Sequence, residues 1–510
     1  MNLFPMKLCK LIPAVLICFC LSAEAQQQKY KLYREPHRPQ LHFSQKANWM
    51  NDPNGMVFFN NTYHLFYQYY PDSMVWGPMH WGHATSKDLV HWDHEPVALY
   101  PDSLGYIFSG SVVADVNNSL GFGKAGKTAL VAIFTHHNPK GDASGRIDYQ
   151  NQSIAYSLDE GRTWTKYEGN PVLKNPGIRD FRDPKVSWYE PQQKWIMTLA
   201  TQDRISFYSS KDLKQWTKES EFGKDNGAHG GVWECPDLFP LDDNGRDVWV
   251  LLVSINPGGP NEGSATQYFI GDFDGTKFSS NQTTTKWLDY GPDDYAGVTW
   301  SNTGKRKIFL GWMGNWLYAT RVPTYPWRSA MTIPRELSLR KIGTEYYVAS
   351  KPIENYNLFA EPPFIAESFS TTKFNLTDKV KKLKGPARLS MASDQIKTFS
   401  IVLSNSKGEK VVIGYDQQAN QYYIDRSEAG IHDFYNGFTK KSVAPRIAQG
   451  NDTYLTLFID NASVELFADN GLTVMTGIFF PNDDFTNIQI EAPETLKIKS
   501  LKFNRLQDIW

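Results

Sequence analysis

The sequence is poor in cysteine, nearly neutral in charge and without a long apolar run after its first 25 residues. Its 510 residues include 4 Cys, and 53 Lys and Arg oppose 54 Asp and Glu to give a formal net charge of -1. This balance gives no electrostatic reason to expect nucleic acid or an anionic membrane surface as a partner. No later run approaches the ~18 apolar residues of a transmembrane helix, so we expect no transmembrane anchor. A content of 41% hydrophobic and 21% charged residues argues against a disordered chain.

Residues 1–25 have the pattern of a signal peptide. Lys7 and Lys10 form a positive n-region, residues 11–21 an apolar core, and residues 23–25 an A-x-A cleavage site. The sequence therefore predicts an exported protein, either periplasmic or extracellular.

Cysteine is scarcer still after the predicted cleavage site. Cys9, Cys18 and Cys20 lie in the leader, which leaves Cys235 alone. The exported chain then has no internal disulfide, and its core alone must stabilise it.

The chain also lacks an amphipathic helical pattern of about 12 or more residues outside the leader. Its apolar residues come in short runs separated by Gly, Pro, Asn and Asp. Residues 56–59 and 63–68 flank Asn60-Asn61, which predicts a strand, a tight turn and a strand. Similar runs occupy residues 249–255, 307–312 and 454–459. The sequence therefore predicts an all-β fold.

A weak repeat precedes three tryptophans in the first part of the chain. Turn-like segments at 86–89, 157–161 and 210–213 are followed by Trp92, Trp164 and Trp216. Their spacing suits four-stranded propeller blades with long loops, although three coincidental turns would look the same.

The composition of the sequence changes near residues 340–368, where Asn- and Pro-rich segments suggest a connector. Short alternating strands follow, such as residues 463–467, as in a β-sandwich of ordinary domain size. We therefore predict a propeller domain over residues 26–340, a linker over 341–365 and a sandwich over 366–510. No chemistry is concentrated in the sandwich, so a structural or accessory role is the expectation.

Three acidic residues in the first domain stand in distinctive surroundings. Asp52 lies in the sequence Trp-Met-Asn-Asp-Pro-Asn-Gly, and Asp183 lies in Arg-Asp-Pro. Alone, each fits a simpler interpretation: Asp52 could stabilise a turn, and Asp183 could belong to a surface ion pair. Glu234 is flanked by Trp233 and Cys235, an apolar setting that favours the protonated form a general acid needs.

The three acids are too far apart in sequence for one local element to unite them. A propeller unites them, because the innermost strand of every blade lines one central channel. Two such carboxyls, one ionised as a nucleophile and one protonated as an acid, can cleave a glycosidic bond.

The motifs around the three acids resemble the signatures of glycoside hydrolase family 32, the family of the invertases, levanases and inulinases. The sequences of these motifs are similar to those of bacterial levanases and exo-inulinases. Further matches lie at residues 66–69, 76–83, 108–111, 295–296 and 311–313. The resemblance covers nearly all of residues 37–340 and continues in the sandwich at residues 463–467.

This resemblance implies a five-bladed β-propeller followed by a β-sandwich, and a retaining double displacement at a β-fructosyl unit. Asp52 is then expected to attack the anomeric C2 of fructose. Glu234 is expected to protonate the leaving oxygen and afterwards to activate water. Asp183 is expected to bind the 3- and 4-hydroxyls of fructose, with Arg182 beside it.

The resemblance also implies a pocket for a terminal fructose unit. The expected substrate-binding residues are Trp49, Met50, Asn51, Gln68, Trp76, Phe108, Ser109, Arg182, Tyr295 and Trp312. Asn51, Gln68 and Ser109 suit hydrogen bonds to sugar hydroxyls. Apolar walls are expected from Trp49, Trp76, Phe108 and Trp312, with plain propeller packing as the alternative for each tryptophan. Tyr295 matches a family tyrosine that supports the acid/base, although Asp294 precedes it where the family commonly has an aromatic residue.

Two pairs of closely spaced histidines raise the question of a metal site, but their spacing does not favour one. His80 and His83, like His91 and His94, are three residues apart, and such residues on a strand face opposite sides. Cys235 supplies no second thiolate. We therefore expect neither a metal nor a cofactor.

The leading hypothesis is an exported hydrolase that releases fructose from the chain ends of levan or inulin, and from sucrose as well. An invertase is an alternative, and so is an endo-acting fructanase, which needs a cleft open at both sides. A sucrose-6-phosphate hydrolase conflicts with the leader, and a binding protein without catalysis conflicts with three intact acids. Linkage preference (β-2,6 or β-2,1) and oligomeric state stay open.

Overall fold

The structure is a computed structural model that describes residues 32–123, 126–380, 383 and 385–510. The predicted signal peptide, residues 1–25, lies outside the described residues. The strands form a five-bladed β-propeller followed by a C-terminal β-sandwich, which confirms the predicted all-β fold class.

The propeller consists of one small antiparallel sheet per blade. Blade 1 contains β1 (Asn48–Phe59), β2 (Thr62–Tyr70), β3 (His80–Ser86) and β4 (Asp93–Leu99). Blade 2 contains β5 (Tyr106–Asp115), β6 (Ala129–His137), β7 (Gln150–Ser157) and β8 (Thr165–Lys166). Blade 3 contains β9 (Phe181–Tyr189), β10 (Lys194–Thr201), β11 (Arg204–Ser210) and β12 (Thr217–Phe222). Blade 4 contains β13 (Val232–Asp243), β14 (Arg246–Asn256), β15 (Ala265–Phe273), β16 (Phe278–Ser279) and β17 (Lys286–Trp287).

The fifth blade also closes the propeller. The chain continues through β18 (Tyr295–Thr299), β19 (Lys307–Met313), β20 (Trp327–Arg328), β21 (Ala330–Met331), β22 (Arg335–Ile342) and β23 (Glu345–Pro352). Of these, β20 pairs in parallel with β1 of blade 1, and the others form blade 5. The inner strands β1, β5, β9, β13 and β18 contact one another in a closed ring. The last strand, β23, lies inside the range 341–365 that was predicted to be a linker. It is part of blade 5 because it pairs with β22 over its whole length.

The sandwich is built around one long bent strand. Its strands are β24 (Phe364–Asn375), β25 (Ala387–Ser393), β26 (Phe399–Ser404), β27 (Lys410–Asp416), β28 (Gln421–Glu428), β29 (Ser442–Pro445), β30 (Thr453–Asp460), β31 (Ser463–Ala468), β32 (Thr473–Ile478) and β33 (Asn487–Arg505). The beginning of β33 pairs with β26 and its end with β25, so this strand joins the two layers. Apolar side chains from both layers form one core.

Helices are short throughout the described residues, as the missing amphipathic pattern predicts. They are α1 (Pro139–Ala143), α2 (Thr377–Val380) and the 3₁₀ turns Glu190–Gln192, Glu354–Phe359 and Asp469–Gly471. No helix in this part of the chain has the length and apolar character needed to cross a membrane.

Two local predictions about blade turns are confirmed. Asn60 and Asn61 connect β1 to β2 with φ of 46° and 57°, the left-handed region that asparagine tolerates in tight hairpins. The repeated segments 86–89, 157–161 and 210–213 all connect the third and fourth strands of a blade. In each, the first serine accepts a backbone hydrogen bond from within the turn, at 2.8–2.9 Å.

His42 links the propeller to the sandwich through two buried carboxylates. Its Nδ1 lies 2.8 Å from Asp460 and its Nε2 lies 2.8 Å from Glu465. Burial opposes the charged ring, but the hydrogen bonds and charges of the two carboxylates outweigh burial and raise the pKa of His42 to about 9.

We expect this link to weaken in alkali. The folded pKa lies above the ordinary value of 6.5, so the stabilisation is complete below pH 6.5 and is lost as the pH rises through about 9. The loss is on the order of 3 kcal/mol. Melting temperature measured across this window should fall, and a His42→Gln variant should show a flatter profile. An equal slope in wild type and variant would contradict the assignment.

Candidate active site

The five inner strands are bulged at one level of the central channel. In each, the register with the next strand shifts by one extra residue. The bulged pairs are Asn51-Asp52, Phe108-Ser109, Asp183-Pro184, Cys235-Pro236 and Ala296-Gly297. In all five strands a Pro or Gly lies within the bulged pair or directly after it, which suits an interrupted ladder of hydrogen bonds. All three predicted acids lie in or next to these bulges.

Three of the bulged residues have a left-handed backbone. Asp183, Cys235 and Ala296 have φ of 63°, 46° and 55°, a region that costs non-glycine residues free energy. Such conformations persist where the surrounding structure enforces them, and they concentrate at functional sites. The propeller ring supplies that constraint here.

Asp52 is held at both carboxyl oxygens. The Ser109 hydroxyl donates to Oδ2 at 2.6 Å, and the Asn51 amide donates to Oδ1 at 2.8 Å. Asn51 is itself held by the Trp49 indole N–H, which donates to its Oδ1 at 2.7 Å. The Asp52 carboxyl is therefore fixed in orientation by residues of blades 1 and 2.

Asp183 lies beside Asp52 and shares a neighbour with it. The backbone N–H of Cys235 donates to Asp183 Oδ2 at 3.1 Å. The Cys235 thiol lies 3.7 Å from the same oxygen and 3.6 Å from Asp52 Oδ2. Burial raises the pKa of this thiol well above its ordinary value, so it remains a neutral thiol rather than a nucleophile.

Glu234 has polar neighbours on both oxygens. The Arg182 guanidinium donates to Oε1 through Nε at 3.0 Å and Nη2 at 2.9 Å, and the Tyr295 hydroxyl donates to Oε2. Arg182 also contacts Asp180 at 2.7 Å. This corrects one expectation, because the setting of Glu234 is polar rather than apolar. The Arg182 guanidinium, expected beside Asp183, pairs with Glu234 and Asp180. The two interactions cross between blades, so the sequence neighbours of Glu234 do not reveal them.

The ring formed by the carboxyls of Asp52, Asp183 and Glu234 does not carry three full negative charges near neutral pH. Burial raises the pKa of Asp183 to about 7, with Arg182 opposing and the charges of Glu234 and Asp52 adding to the shift. Burial also raises the pKa of Asp52, against hydrogen bonds from Ser109 and Asn51. Burial of these carboxyls therefore favours retention of a proton on Asp183 near neutral pH.

The acids lie in a cavity of about 370 Å³, a size suited to a small ligand. Trp76, Phe108 and Trp316 supply aromatic faces, and Gln68 lies deeper with its amide nitrogen donating to Asn54 and to the Ile107 carbonyl. Cavity-lining residues come from blades 1 to 4 and from the loop after β19 of blade 5. Within the described residues, no group of three or more His, Cys, Asp or Glu side chains is arranged to hold a metal ion.

Both domains match models of a single enzyme family. Residues 42–352 match the model described as the N-terminal domain of glycosyl hydrolases family 32, and residues 364–505 match the C-terminal model of that family. The chain belongs to glycosyl hydrolase family 32. It is a glycosidase.

Relatives from bacteria and fungi resemble this family 32 member over nearly its whole length. A levanase from Bacillus subtilis (strain 168) is 46% identical over 97% of this chain and 74% of its own. An extracellular exo-inulinase from Aspergillus niger is 41% identical over 94% of this chain and 96% of its own. The crystal structure of exo-inulinase from Aspergillus awamori superposes with a TM-score of 0.85 at 37% identity, covering 94% of this chain and 100% of that chain.

The structure divides the expected binding residues of the family 32 site into two groups. Asn51, Gln68, Trp76, Phe108, Ser109 and Arg182 line the cavity together with Asp52, Asp183 and Glu234. Trp49, Met50, Tyr295 and Trp312 are buried behind its wall. Trp49 stacks on Trp316 with ring centroids 5.7 Å apart, and Trp312 packs against it at a tilt with centroids 5.0 Å apart. Both therefore support the wall instead of forming it.

Other cavity residues were not among those expected from the sequence. They are His137, Asp142, Tyr149, Gln150, Arg179, Asp180 and Trp316. Trp316 follows the motif at residues 311–313 by three positions, and a tryptophan so near a family motif is a signal that could have been used. The polar residues come from blades 2 and 3 and meet only through the propeller.

Proposed function

We propose that this family 32 glycosidase is an exported retaining hydrolase that releases terminal β-fructose from levan or inulin, and also from sucrose. The observation that carries the proposal is the ring of Asp52, Asp183 and Glu234 in a cavity surrounded by residues of five blades. The names of the levanase and exo-inulinase relatives support a fructan substrate. The predicted leader, together with the word extracellular in the name of a relative, supports export.

Asp52 is the proposed nucleophile. Its carboxyl is oriented by Ser109 and Asn51, so one oxygen can be directed at the anomeric carbon without a search among rotamers. Attack on C2 of fructose forms a bond from the carboxylate oxygen and breaks the bond to the leaving oxygen. The product of this step is a fructosyl ester on Asp52.

Glu234 is the proposed acid and base. It gives a proton to the leaving oxygen in the first step and takes one from water in the second, when water releases β-fructose. Tyr295 and Arg182 hold its two oxygens, so its direction is fixed through both steps. Asp183 is proposed to bind two neighbouring hydroxyls of the fructose ring.

The relatives named exo-inulinase favour action at chain ends. Endo action requires a cleft through which the polymer passes on both sides of the reacting unit. Here Trp76, Phe108 and Trp316 line a cavity of about 370 Å³, a size that suits one small sugar unit.

A product time course tests this proposal. Purified protein incubated with levan, inulin or sucrose should release fructose as the first and dominant small product from either polymer. Asp52→Asn protein serves as the control for contaminating activity. An early ladder of oligosaccharides would contradict exo action. No product from either polymer, with turnover of sucrose alone, would replace the fructanase by an invertase.

A further inference from the structure

The segment just before Tyr295 is attached to the sandwich. The backbone N–H of Tyr290 donates to the Val474 carbonyl at 2.8 Å, and that of Asp293 donates to the Thr476 carbonyl at 3.3 Å. Both acceptors lie on β32. The Tyr290 ring belongs to the apolar core of the sandwich. Residues 289–294 therefore enter blade 5 from a docked position on the second domain.

Two buried carboxylates of this segment strengthen the attachment. Asp289 accepts hydrogen bonds from the Thr476 backbone at 2.9 Å and from its hydroxyl at 2.7 Å. Asp293 accepts from the Ile478 backbone at 3.0 Å and from the Arg426 guanidinium at 2.8 Å. All of these donors belong to the sandwich, so its β32 and β28 hold both ends of the segment.

Asp294 connects this attachment to an internal guanidinium. Arg335 donates through Nη1 to Asp289 and Asp294, each at 2.9 Å, and through Nε to Glu465 of the sandwich at 3.1 Å. The side chains of all four residues are fully buried. On the other side, the Asp294 carboxyl fills the space over Gly311, where an added Cβ would lie 1.9 Å from Oδ1. Asp294 is therefore confined between Arg335 and Gly311.

Tyr295 is the next residue, and it points into the channel instead. Tyr295 is 1% exposed, and its hydroxyl donates to Glu234. Asp294 directly precedes Tyr295, the first residue of β18, so fixing Asp294 beside Arg335 constrains where β18 begins and where the Tyr295 side chain lies. Asp294 is also the position where the sequence departs from the aromatic residue common in the family.

We propose that the sandwich takes part in catalysis by holding Asp294, and that Asp294, Arg335 and Thr476 are positioning residues for the Tyr295 hydroxyl on Glu234. This inference rests on the proposed role of Glu234. It gives the second domain a function in the reaction as well as in stability.

A double-mutant cycle of Asp294→Ala and Tyr295→Phe tests the inference. Each single variant should lower kcat on fructan about tenfold or more, the size expected for a hydrogen bond to a carboxylate, with a smaller change in KM. The double variant should be no slower than Tyr295→Phe alone, because both changes remove the same contact. Effects that multiply would overturn the proposal.

Two further variants separate positioning from stability. Thr476→Val removes only the sandwich hydroxyl that contacts Asp289 and Arg335, and it should lower kcat a few-fold. This variant keeps the inference testable where Asp294→Ala does not fold. Asp469→Asn is the matched control, since this buried carboxylate contacts Tyr422 within the sandwich and lies outside the segment. It should leave kcat unchanged, whatever the change in melting temperature. An equal loss of kcat in the control would overturn the proposal.

A crystal structure of Asp294→Ala provides a readout that needs no substrate. The Tyr295 hydroxyl should move away from Glu234, and an unchanged contact would overturn the inference. If wild-type protein hydrolyses no fructan, the proposed function fails, while the position of Tyr295 in this variant still decides the positioning role.

Discussion

An Asp52→Asn variant is expected to lose turnover of every β-fructoside by about 10³-fold or more, because an amide does not form the covalent intermediate. The variant should nevertheless fold and bind. The amide keeps the shape of the carboxyl, so its oxygen still accepts from Ser109. The measurement is kcat with levan, inulin and sucrose.

The same variant makes an opposite prediction for stability. Burial raises the pKa of Asp52, which means that the folded protein opposes ionisation of this group at neutral pH. The uncharged amide removes that cost, so the melting temperature should equal or exceed that of the wild type. Near-normal turnover would contradict the role of Asp52, and a lower melting temperature would show that lost activity reflects damaged folding.

A Glu234→Gln variant is expected to slow hydrolysis of fructans by about 10²–10⁴-fold, because both proton transfers lose their partner. The glutamine retains an oxygen and a nitrogen near Arg182 and Tyr295, so the geometry should survive. The loss should depend on the leaving group. A nitrophenyl β-fructoside needs no protonation to depart, and its first step should remain fast while the second stays slow.

The expected signature is a burst of nitrophenol equal to the amount of enzyme, followed by slow release. Azide attacks the intermediate without a general base, so it should restore turnover of this substrate and yield β-fructosyl azide. Arg179→Gln, which changes a cavity residue away from the acids' hydrogen bonds, serves as the comparison and should show no azide rescue. Absence of both burst and rescue in Glu234→Gln would contradict its role.

Much of the fold could be predicted because it depends on local patterns. Short apolar runs indicated strands, the Asn60-Asn61 pair indicated a hairpin, and the serine-led turns before Trp92, Trp164 and Trp216 marked corresponding positions in successive blades. The family motifs then gave the number of blades. The end of the propeller was harder, because β23 lies in a segment whose composition resembles a linker and whose strand character comes from pairing with β22.

The contacts within the site could not be predicted from neighbours in sequence. Trp233 and Cys235 suggested an apolar setting for Glu234, yet the propeller brings Arg182 and Tyr295 to its carboxyl from blades 3 and 5. Likewise, Trp49 occurs in the strongest motif but packs behind Trp316, which forms the wall. Alternation along one strand does not specify which residue from another blade covers it.

The covalent intermediate provides the most direct test of a retaining mechanism at Asp52. Glu234→Gln protein is mixed with nitrophenyl β-fructoside, quenched in acid during the burst, digested and examined by mass spectrometry. The account predicts one added fructosyl unit on the peptide that contains Asp52, localised to that carboxyl. Release of nitrophenol with an unmodified Asp52 peptide, or with the sugar on another residue, would contradict it.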